Sequence, residues 1–171
     1  MLFFSPIFIF IFLPIVWVVF RALGARVPTW VSIGWLLLSS WVFYAWAYPI
    51  HLLWLIGSIL FNFLCSIAIQ RHARSSTGKR FLIGGIIVNL LLLGGFKYSG
   101  FATESFSMAF GLSLQPPSFI LPLAISFFTF QQISYLVTTY REQRLIARPH
   151  EYALYVSFFP QLIAGPIVQP G

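Results

Sequence analysis

The sequence predicts an all-α protein, a polytopic bundle of transmembrane helices, and three observations support this prediction. Of the 171 residues, 59% are hydrophobic and only 8% are charged, whereas a soluble domain carries roughly 25% charged residues. The uncharged stretches are about as long as the 20 apolar residues with which a helix crosses a bilayer. The ten Lys and Arg residues are grouped between these stretches. This composition excludes a disordered chain, a nucleic-acid-binding module and a disulfide scaffold.

The first three spans are defined by charges and one proline. Residues 2–20 form the first span and end at the first cation, Arg21. No Lys or Arg precedes this stretch, so a retained span is favoured over the alternative of a cleaved signal peptide. The following uncharged stretch is long enough for two crossings, which we place at 28–47 and 50–69. Pro49 marks the turn between them, since proline disfavours a helical conformation in the residue before it.

The second half of the chain predicts two further spans and one interrupted segment. The fourth span is 81–97, in which paired glycines allow neighbouring helices to approach closely. A mixed loop is predicted over 98–117, followed by the fifth span at 119–140. The apolar stretch 152–169 contains Pro160 and the Gly165-Pro166 pair. Such helix breakers predict a broken or re-entrant segment, which is tolerated in a membrane only where protein or a water-filled cavity covers it.

The positions of the cations predict an orientation. Nine of the ten follow spans one, three and five, and only Lys97 lies on the other side. The positive-inside rule then places the N-terminus outside and these basic loops in the cytoplasm. The loops are interpreted as topology signals in contact with the lipid bilayer, not as a nucleic-acid site. They comprise residues 21–26, 70–80 and 141–150.

The fifth span is the most polar one. At 100° per residue, Gln131, Ser134 and Thr138 lie on one stripe of the helix. Gln132 follows a second stripe with neighbouring Ser and Thr residues. A helix that is polar on two sides is covered by other helices or faces an aqueous path. Hydrogen bonding between helices and a substrate path along 126–138 both remain open.

The other polar residues indicate no catalytic centre. Asn62 and Asn89 lie singly in spans three and four and are interpreted as contacts between helices. His51, His72 and His150 are interpreted as solvated or interfacial, and none has a second ligand at a spacing that suits a metal. The sequence thus predicts no metal site, no bound cofactor and no assembled catalytic group.

Two motifs nevertheless resemble a known family. The segments Leu121-Pro-Leu-Ala-Ile-Ser-Phe-Phe-Thr-Phe-Gln-Gln-Ile-Ser-Tyr135 and Phe158-Phe-Pro-Gln-Leu-Ile-Ala-Gly-Pro-Ile167 are similar to signature segments of the membrane-bound O-acyltransferases, in the branch of the alginate O-acetyltransferases. Two differences stand out. The family prefers Gly at the position of Ala124, and it has an acidic residue near Thr138 or Thr139. The branch that transfers D-alanine is a related alternative.

The resemblance implies a membrane O-acyltransferase in a bacterial inner membrane. It implies an acyl group taken from a cytoplasmic donor, whose identity is unknown, and passed to a hydroxyl of an exported polysaccharide such as alginate. It further implies acetylation partner proteins outside the membrane and a tunnel through the bundle. The chain's residues expected to line this tunnel are Gln131, Gln132, Pro160, Gln161, Gly165 and Pro166.

The resemblance also implies that this chain is the N-terminal part of such an enzyme. The family's essential histidine lies downstream of the Gly-Pro block, so none of the three histidines here takes its role and we expect the chain alone to be inactive. Two alternatives remain: a transporter or channel component that uses the polar path along 126–138, and an unproductive truncated product.

Overall fold

The computed structural model describes residues 5–46, 49–73, 75–110, 122–145 and 147–164. All regular secondary structure in these residues is helical, so the prediction of an all-α protein is confirmed for them. A π-helical turn, Phe8–Phe12, precedes the first helix. The α-helices are α1 (Leu13–Gly24), α2 (Thr29–Ala45), α3 (Pro49–Arg71), α4 (Ser76–Phe110), α5 (Ile125–Glu142), α6 (Pro149–Ser157) and α7 (Phe159–Ala164).

Prolines explain where several of the helices begin. Pro28 caps α2 and Pro49 opens α3. Pro149 is in the first turn of α6, and Pro160 is the second residue of α7. Proline is well tolerated in a first turn, because its missing N–H would have no partner inside the helix there. These residues therefore divide the apolar sequence into separate helices.

Within the described residues, two helices are long and apolar enough to cross a membrane. They are Pro49–Arg71, with a mean hydropathy of 2.2, and Ser76–Phe101, with a mean hydropathy of 1.8. Phe8–Gly24 and Thr29–Ala45 are apolar but shorter. Many large apolar side chains on these helices are exposed, such as Phe10 at 77%. These features are consistent with a polytopic membrane bundle.

Helix α4 is longer than the sequence predicts. We expect a loop from residue 98, but the helix continues to Phe110. The extension contains no proline before Pro116-Pro117, and its only glycine is Gly100, so nothing in it prevents helix formation. At 1.5 Å per residue, the 35 residues of α4 span about 52 Å. That length exceeds the hydrocarbon thickness of about 30 Å.

The hydrophobic core lies between four of the helices. Buried residues of α2, α3, α5 and α6 form one cluster that includes Tyr44, Leu55, Phe128 and Tyr152. A second cluster is mainly aromatic and brings Phe159 of α7 into contact with the N-terminal region. Helix α6, which directly precedes the second motif, is packed against α2 and α3.

One glycine of the fourth helix allows close packing. A Cβ placed on Gly85 would lie 2.8 Å from Cδ1 of Leu136 on α5, whereas one on Gly84 would have no neighbour within 4 Å in the described part of the chain. Leu136 is fully buried, so it has little room to move away. Gly85 therefore sets the close approach of α4 and α5, as the small residue there predicts.

Candidate functional site

A buried network of polar side chains joins α3, α4 and α5. The Ser58 hydroxyl donates a hydrogen bond of 2.8 Å to Oε1 of Gln132, and Nδ2 of Asn62 also donates to that oxygen. Asn62 and Asn89 exchange two hydrogen bonds, of 3.1 Å and 2.6 Å. The Asn and Gln side chains are no more than 3% exposed. Three helices are thus held together by amides that water does not reach.

The contacts determine how each amide is oriented. Nδ2 of Asn62 faces three acceptors, which are the Ser58 carbonyl at 3.0 Å, Oδ1 of Asn89 and Oε1 of Gln132. The reversed amide would place an oxygen against three oxygens, which is unfavourable. Nδ2 of Asn89 donates to the Gly85 carbonyl at 2.8 Å. Most of the polar atoms in the network are therefore satisfied, as buried polar groups require.

The sequence pattern indicates separate contacts for Asn62 and Asn89 and does not pair them with Gln132. A signal for the network exists, because Ser58 and Asn62 are four residues apart and lie on one face of α3. The helical pattern cannot show that this face meets the side of α5 that carries Gln132, since that pairing depends on how the helices pack.

Gln131, the neighbour of Gln132, has a different environment. Its side chain is fully buried, but neither its Oε1 nor its Nε2 has a hydrogen-bond partner among the described residues. Tyr135, one turn later on α5, stacks on Tyr152 of α6 with a centroid distance of 4.2 Å. The hydroxyls of Thr139 and Tyr152 are likewise buried without a partner in the described part. The two glutamines thus differ: Oε1 of Gln132 accepts two hydrogen bonds from α3, although its Nε2 has no partner among the described residues, whereas neither side-chain atom of Gln131 has one there.

Helix α5 begins at a strained residue. Ala124, its N-cap, has φ 57° and ψ 24°, a left-handed conformation that favours glycine over alanine. The buried Tyr44 hydroxyl donates a 2.9 Å hydrogen bond to the carbonyl of the preceding residue, Leu123. Because glycine adopts this conformation without strain, the conformation explains why the family that the chain resembles prefers Gly at this position.

The second motif begins at a break between two short helices, α6 and α7. Phe158 leaves the helical conformation with ψ 110°, and Pro160 cannot donate to the carbonyl four residues earlier. The Phe159 N–H, released by the break, lies 3.4 Å from Oγ of Ser40 on α2. Packing against α2 thereby compensates for the interruption of the helix.

An open groove of about 310 Å³ lies between α2, α6 and α7. Its apolar walls are Ile33, Leu36, Leu154 and Phe158, and its polar residues are Glu151, Tyr155 and Gln161. Oε2 of Glu151 accepts a 2.8 Å hydrogen bond from the Arg148 N–H and so caps α6. Nε2 of Gln161 is buried and has no partner among the residues that the structure describes.

The described residues among those expected to line the tunnel lie on two different helices. Gln131 lies on α5, whereas Pro160 and Gln161 are half-buried on α7. Gly165 and Pro166 lie outside the described residues. The grouping of these residues around one tunnel stays a prediction.

The histidines provide no metal site in the described residues. No group of three His, Cys, Asp or Glu side chains there could hold a metal ion. His72 is exposed, and its Nδ1 lies 3.0 Å from the Ala68 carbonyl. Of the two interpretations of His51, the solvated one is wrong, because the residue is only 8% exposed, whereas the interfacial one stays a prediction. His51 shares a face of α3 with Leu55 of the core, one turn away, and this face is packed inside the bundle.

Comparison with known proteins identifies curated relatives. A peptidoglycan O-acetyltransferase of Helicobacter pylori is 38% identical over 195 residues, which cover 98% of this chain and 37% of that protein. The probable alginate O-acetylase AlgI of Pseudomonas aeruginosa is 35% identical over 175 residues, which cover 99% and 33% of the two chains. The protein of the same name from Azotobacter vinelandii is 34% identical over 176 residues, with 99% and 34% covered.

These similarities confirm the resemblance that the two motifs indicate. The chain spans about a third of the length of the curated relatives it matches. No family model matches the chain, and no solved structure matches it significantly.

Proposed function

Since the chain belongs to the membrane-bound O-acyltransferases, in the branch of the alginate O-acetyltransferases, we propose that it forms part of an enzyme that transfers an acetyl group to polysaccharide hydroxyls. The observation that carries this proposal is the similarity of nearly the whole chain to relatives named for O-acetyl transfer. Those relatives are named for two polymers, peptidoglycan and alginate. The chemistry that the two names share is the acetylation of a sugar hydroxyl.

The acceptor that we propose is an exported polysaccharide such as alginate. Its acyl donor would be cytoplasmic, and acetylation proteins outside the membrane would be partners. Transfer of D-alanine is less favoured, because the relatives reported above are named for acetyl transfer. A histidine of ordinary pKa near 6.5 suits the activation of a sugar hydroxyl as general base. We assign that role to none of the histidines here and propose that residues 1–171 alone are inactive.

The chain's own contribution would be a wall of the substrate path. We propose that Gln131 faces this path, since its buried amide has no partner among the described residues. Pro160, Gln161, Gly165 and Pro166 would shape the wall in the second motif. Gln132 would instead hold α5 against α3, because its Oε1 accepts hydrogen bonds from two residues of that helix.

We further propose a multi-pass protein of the bacterial inner membrane with five crossings and an external N-terminus. The basic loops 21–26, 70–80 and 141–150 would be cytoplasmic. At Ser75, a fused reporter enzyme that functions in the cytoplasm is then expected to be active. At Ser107, a reporter enzyme that functions outside the cytoplasm is expected to be active. Fusions with the opposite activities would overturn this topology.

The transferase proposal is tested with membranes that contain the protein. Labelled acetyl donor and de-acetylated polysaccharide are added, and label in the polymer is counted. We expect incorporation with a protein of the relatives' length and none with residues 1–171. Incorporation of label by residues 1–171 would contradict the proposed inactivity of this chain alone. If the longer protein and its partners incorporate no label, the proposed acetyl transfer is contradicted.

The buried amide of Gln131, which has no partner within the described ranges, also favours a second candidate, a transporter or channel component with a polar path along 126–138. Uptake of a polar solute into vesicles separates the two proposals. Uptake that requires no acyl donor and is lost in Gln131→Leu would favour transport. Uptake equal to that of empty vesicles would exclude it.

A further inference from the structure

One side of α4 carries a row of exposed apolar side chains that points away from the bundle. These side chains are 46–69% exposed, and they are Ile83, Ile87, Leu90 and Leu91. At about 100° per residue they lie within a sector of about 100°, which we call the exposed stripe. Asn89, which is hydrogen-bonded to Asn62 of α3, and Gly85, which faces Leu136 of α5, lie on the opposite side of α4. The exposed stripe therefore faces away from α3 and α5.

Two cations lie at the N-terminal end of the exposed stripe. Arg80 lies in the same sector of the helix as the stripe, and Lys79 lies at the edge of that sector. Both side chains are exposed, and neither forms an ion pair with a residue that the structure describes. No acidic residue precedes Glu104 in the sequence, and Glu142 is paired with Arg144 at 3.7 Å. The two positive charges therefore stay available to an external anion.

The exposed stripe has the length of one lipid leaflet. From Arg80 to Leu91 the helix rises about 16 Å, and half of a hydrocarbon core of about 30 Å is about 15 Å. Basic side chains near the end of a membrane helix extend towards the headgroups, while their methylene groups stay on apolar surface. Cations at this level attract acidic headgroups. This side of α4 thus combines a partner for an acyl chain with a partner for a phosphate.

We propose that this side of α4 binds an anionic phospholipid, whose phosphate contacts Lys79 and Arg80 and whose acyl chains lie along the exposed stripe. Charge complementarity selects the headgroup, since a zwitterionic lipid or another apolar helix brings no net negative charge to the two cations. The stripe selects a lipid over a free phosphate ion, which has no apolar part to contact it. The inference rests on the proposed membrane crossing of α4 and not on acetyl transfer. Under the topology proposed above, the lipid belongs to the cytoplasmic leaflet.

The test counts the lipid molecules that stay bound to the purified chain. The chain is extracted into a neutral detergent from vesicles that contain equal amounts of phosphatidylglycerol and phosphatidylcholine, and native mass spectrometry measures the ratio of the two bound lipids. Lys79→Gln combined with Arg80→Gln removes both charges. We expect the ratio of phosphatidylglycerol to phosphatidylcholine to fall at least about fivefold, because one cation near an anionic membrane surface alone contributes about that factor.

The matched control is Arg141→Gln combined with Arg144→Gln, which removes the same charge at the end of α5. No side chain between residues 131 and 140 of α5 is exposed, so no exposed stripe adjoins these arginines. We expect the control to keep the lipid ratio of the unaltered chain. An equal fall in the two double variants would show an effect of net charge alone and would overturn the inference.

Two further measurements keep the test decisive. Lys79→Arg combined with Arg80→Lys conserves both charges and is expected to keep the lipid ratio, whereas a fall like that of the Gln variant would contradict recognition by charge. If the Gln variant loses helix content, Arg80→Gln is measured instead, with an expected fall of about two- to fivefold. Inorganic phosphate is expected not to displace the bound phosphatidylglycerol. Displacement would indicate a site for a free anion and overturn the inference.

Failure of this inference is distinguishable from failure of the proposed function. An unchanged lipid ratio in the Gln variant would overturn the lipid site alone, because acetyl transfer is measured on the polymer. A ratio that falls only in the Gln variant, without transfer by the protein of the relatives' length, would support the lipid site and contradict the transferase.

Discussion

The different environments of Gln131 and Gln132 lead to a prediction about stability. Replacing Gln132 by Leu removes two hydrogen bonds to α3, and replacing Gln131 by Leu removes none to the described residues. Asn62→Leu removes more, because Asn62 contacts both Asn89 and Gln132. We expect the loss of stability to decrease from Asn62→Leu through Gln132→Leu to Gln131→Leu.

The magnitudes follow from the contacts between helices. At about 0.6 kcal/mol for each side-chain contact in a membrane protein, Gln132→Leu costs about 1.2 kcal/mol. The cost stays low because the two N–H groups of Asn62 keep two acceptors, the Ser58 carbonyl and Oδ1 of Asn89. Asn62→Leu removes three contacts between helices and costs about 2 kcal/mol. Gln131→Leu is expected to change stability by less than about 0.5 kcal/mol, or to increase it.

Thermal unfolding in detergent measures these differences. For a chain of this size, 1 kcal/mol corresponds to about 2–4 °C in Tm, so Gln132→Leu is expected to lower Tm by about 2–5 °C. The double variant Asn62→Leu with Gln132→Leu should lose less than the sum of the single losses, since the two residues share a contact. A loss in Gln131→Leu equal to that in Gln132→Leu would refute the reasoning.

Two further predictions concern the backbone and helix packing. Ala124→Gly removes the strain of a side chain at positive φ and is expected to stabilise the protein by about 0.5–1 kcal/mol. The control Ala68→Gly, inside α3, is expected to cost about 1 kcal/mol. A lower Tm for both variants would contradict the strain at residue 124. Gly85→Val places atoms against Leu136 and is expected to cost about 1 kcal/mol or more, whereas Gly84→Val changes stability by less than about 0.5 kcal/mol. Equal costs at the two glycines, measured by the same unfolding assay, would exclude the close approach of α4 and α5 at Gly85.

The sequence predicts the helical class and several helix starts, because these depend on local chemistry. Pro28 and Pro49 act through their own missing N–H groups, and the long apolar runs of α3 and α4 follow from composition. The extension of α4 to Phe110 is not predicted, since the polar residues after Lys97 suggest a loop although they are compatible with a helix. Composition alone does not distinguish a solvated helix from a solvated loop.

The polar site is only partly predictable for a different reason. The polar pattern of α5 predicts that Gln131 and Gln132 are shielded from lipid. It does not predict which of them is hydrogen-bonded, because both are glutamines. Only the packing of α3 against α5 gives Oε1 of Gln132 its two donors, and it leaves Gln131 without a partner in the described part of the chain. His51 illustrates the same limit, since its burial depends on which face of α3 meets the core.

The O-acetyl content of the polysaccharide that the cells export tests the proposed acetyl transfer most directly. The gene that encodes this chain is deleted and then restored, and acetyl groups per sugar residue are measured by NMR on the purified polymer. We expect deletion to remove most of the O-acetyl groups at an unchanged polymer yield, and restoration of the gene to return them. An unchanged acetyl content after deletion would contradict the assignment as an O-acetyltransferase.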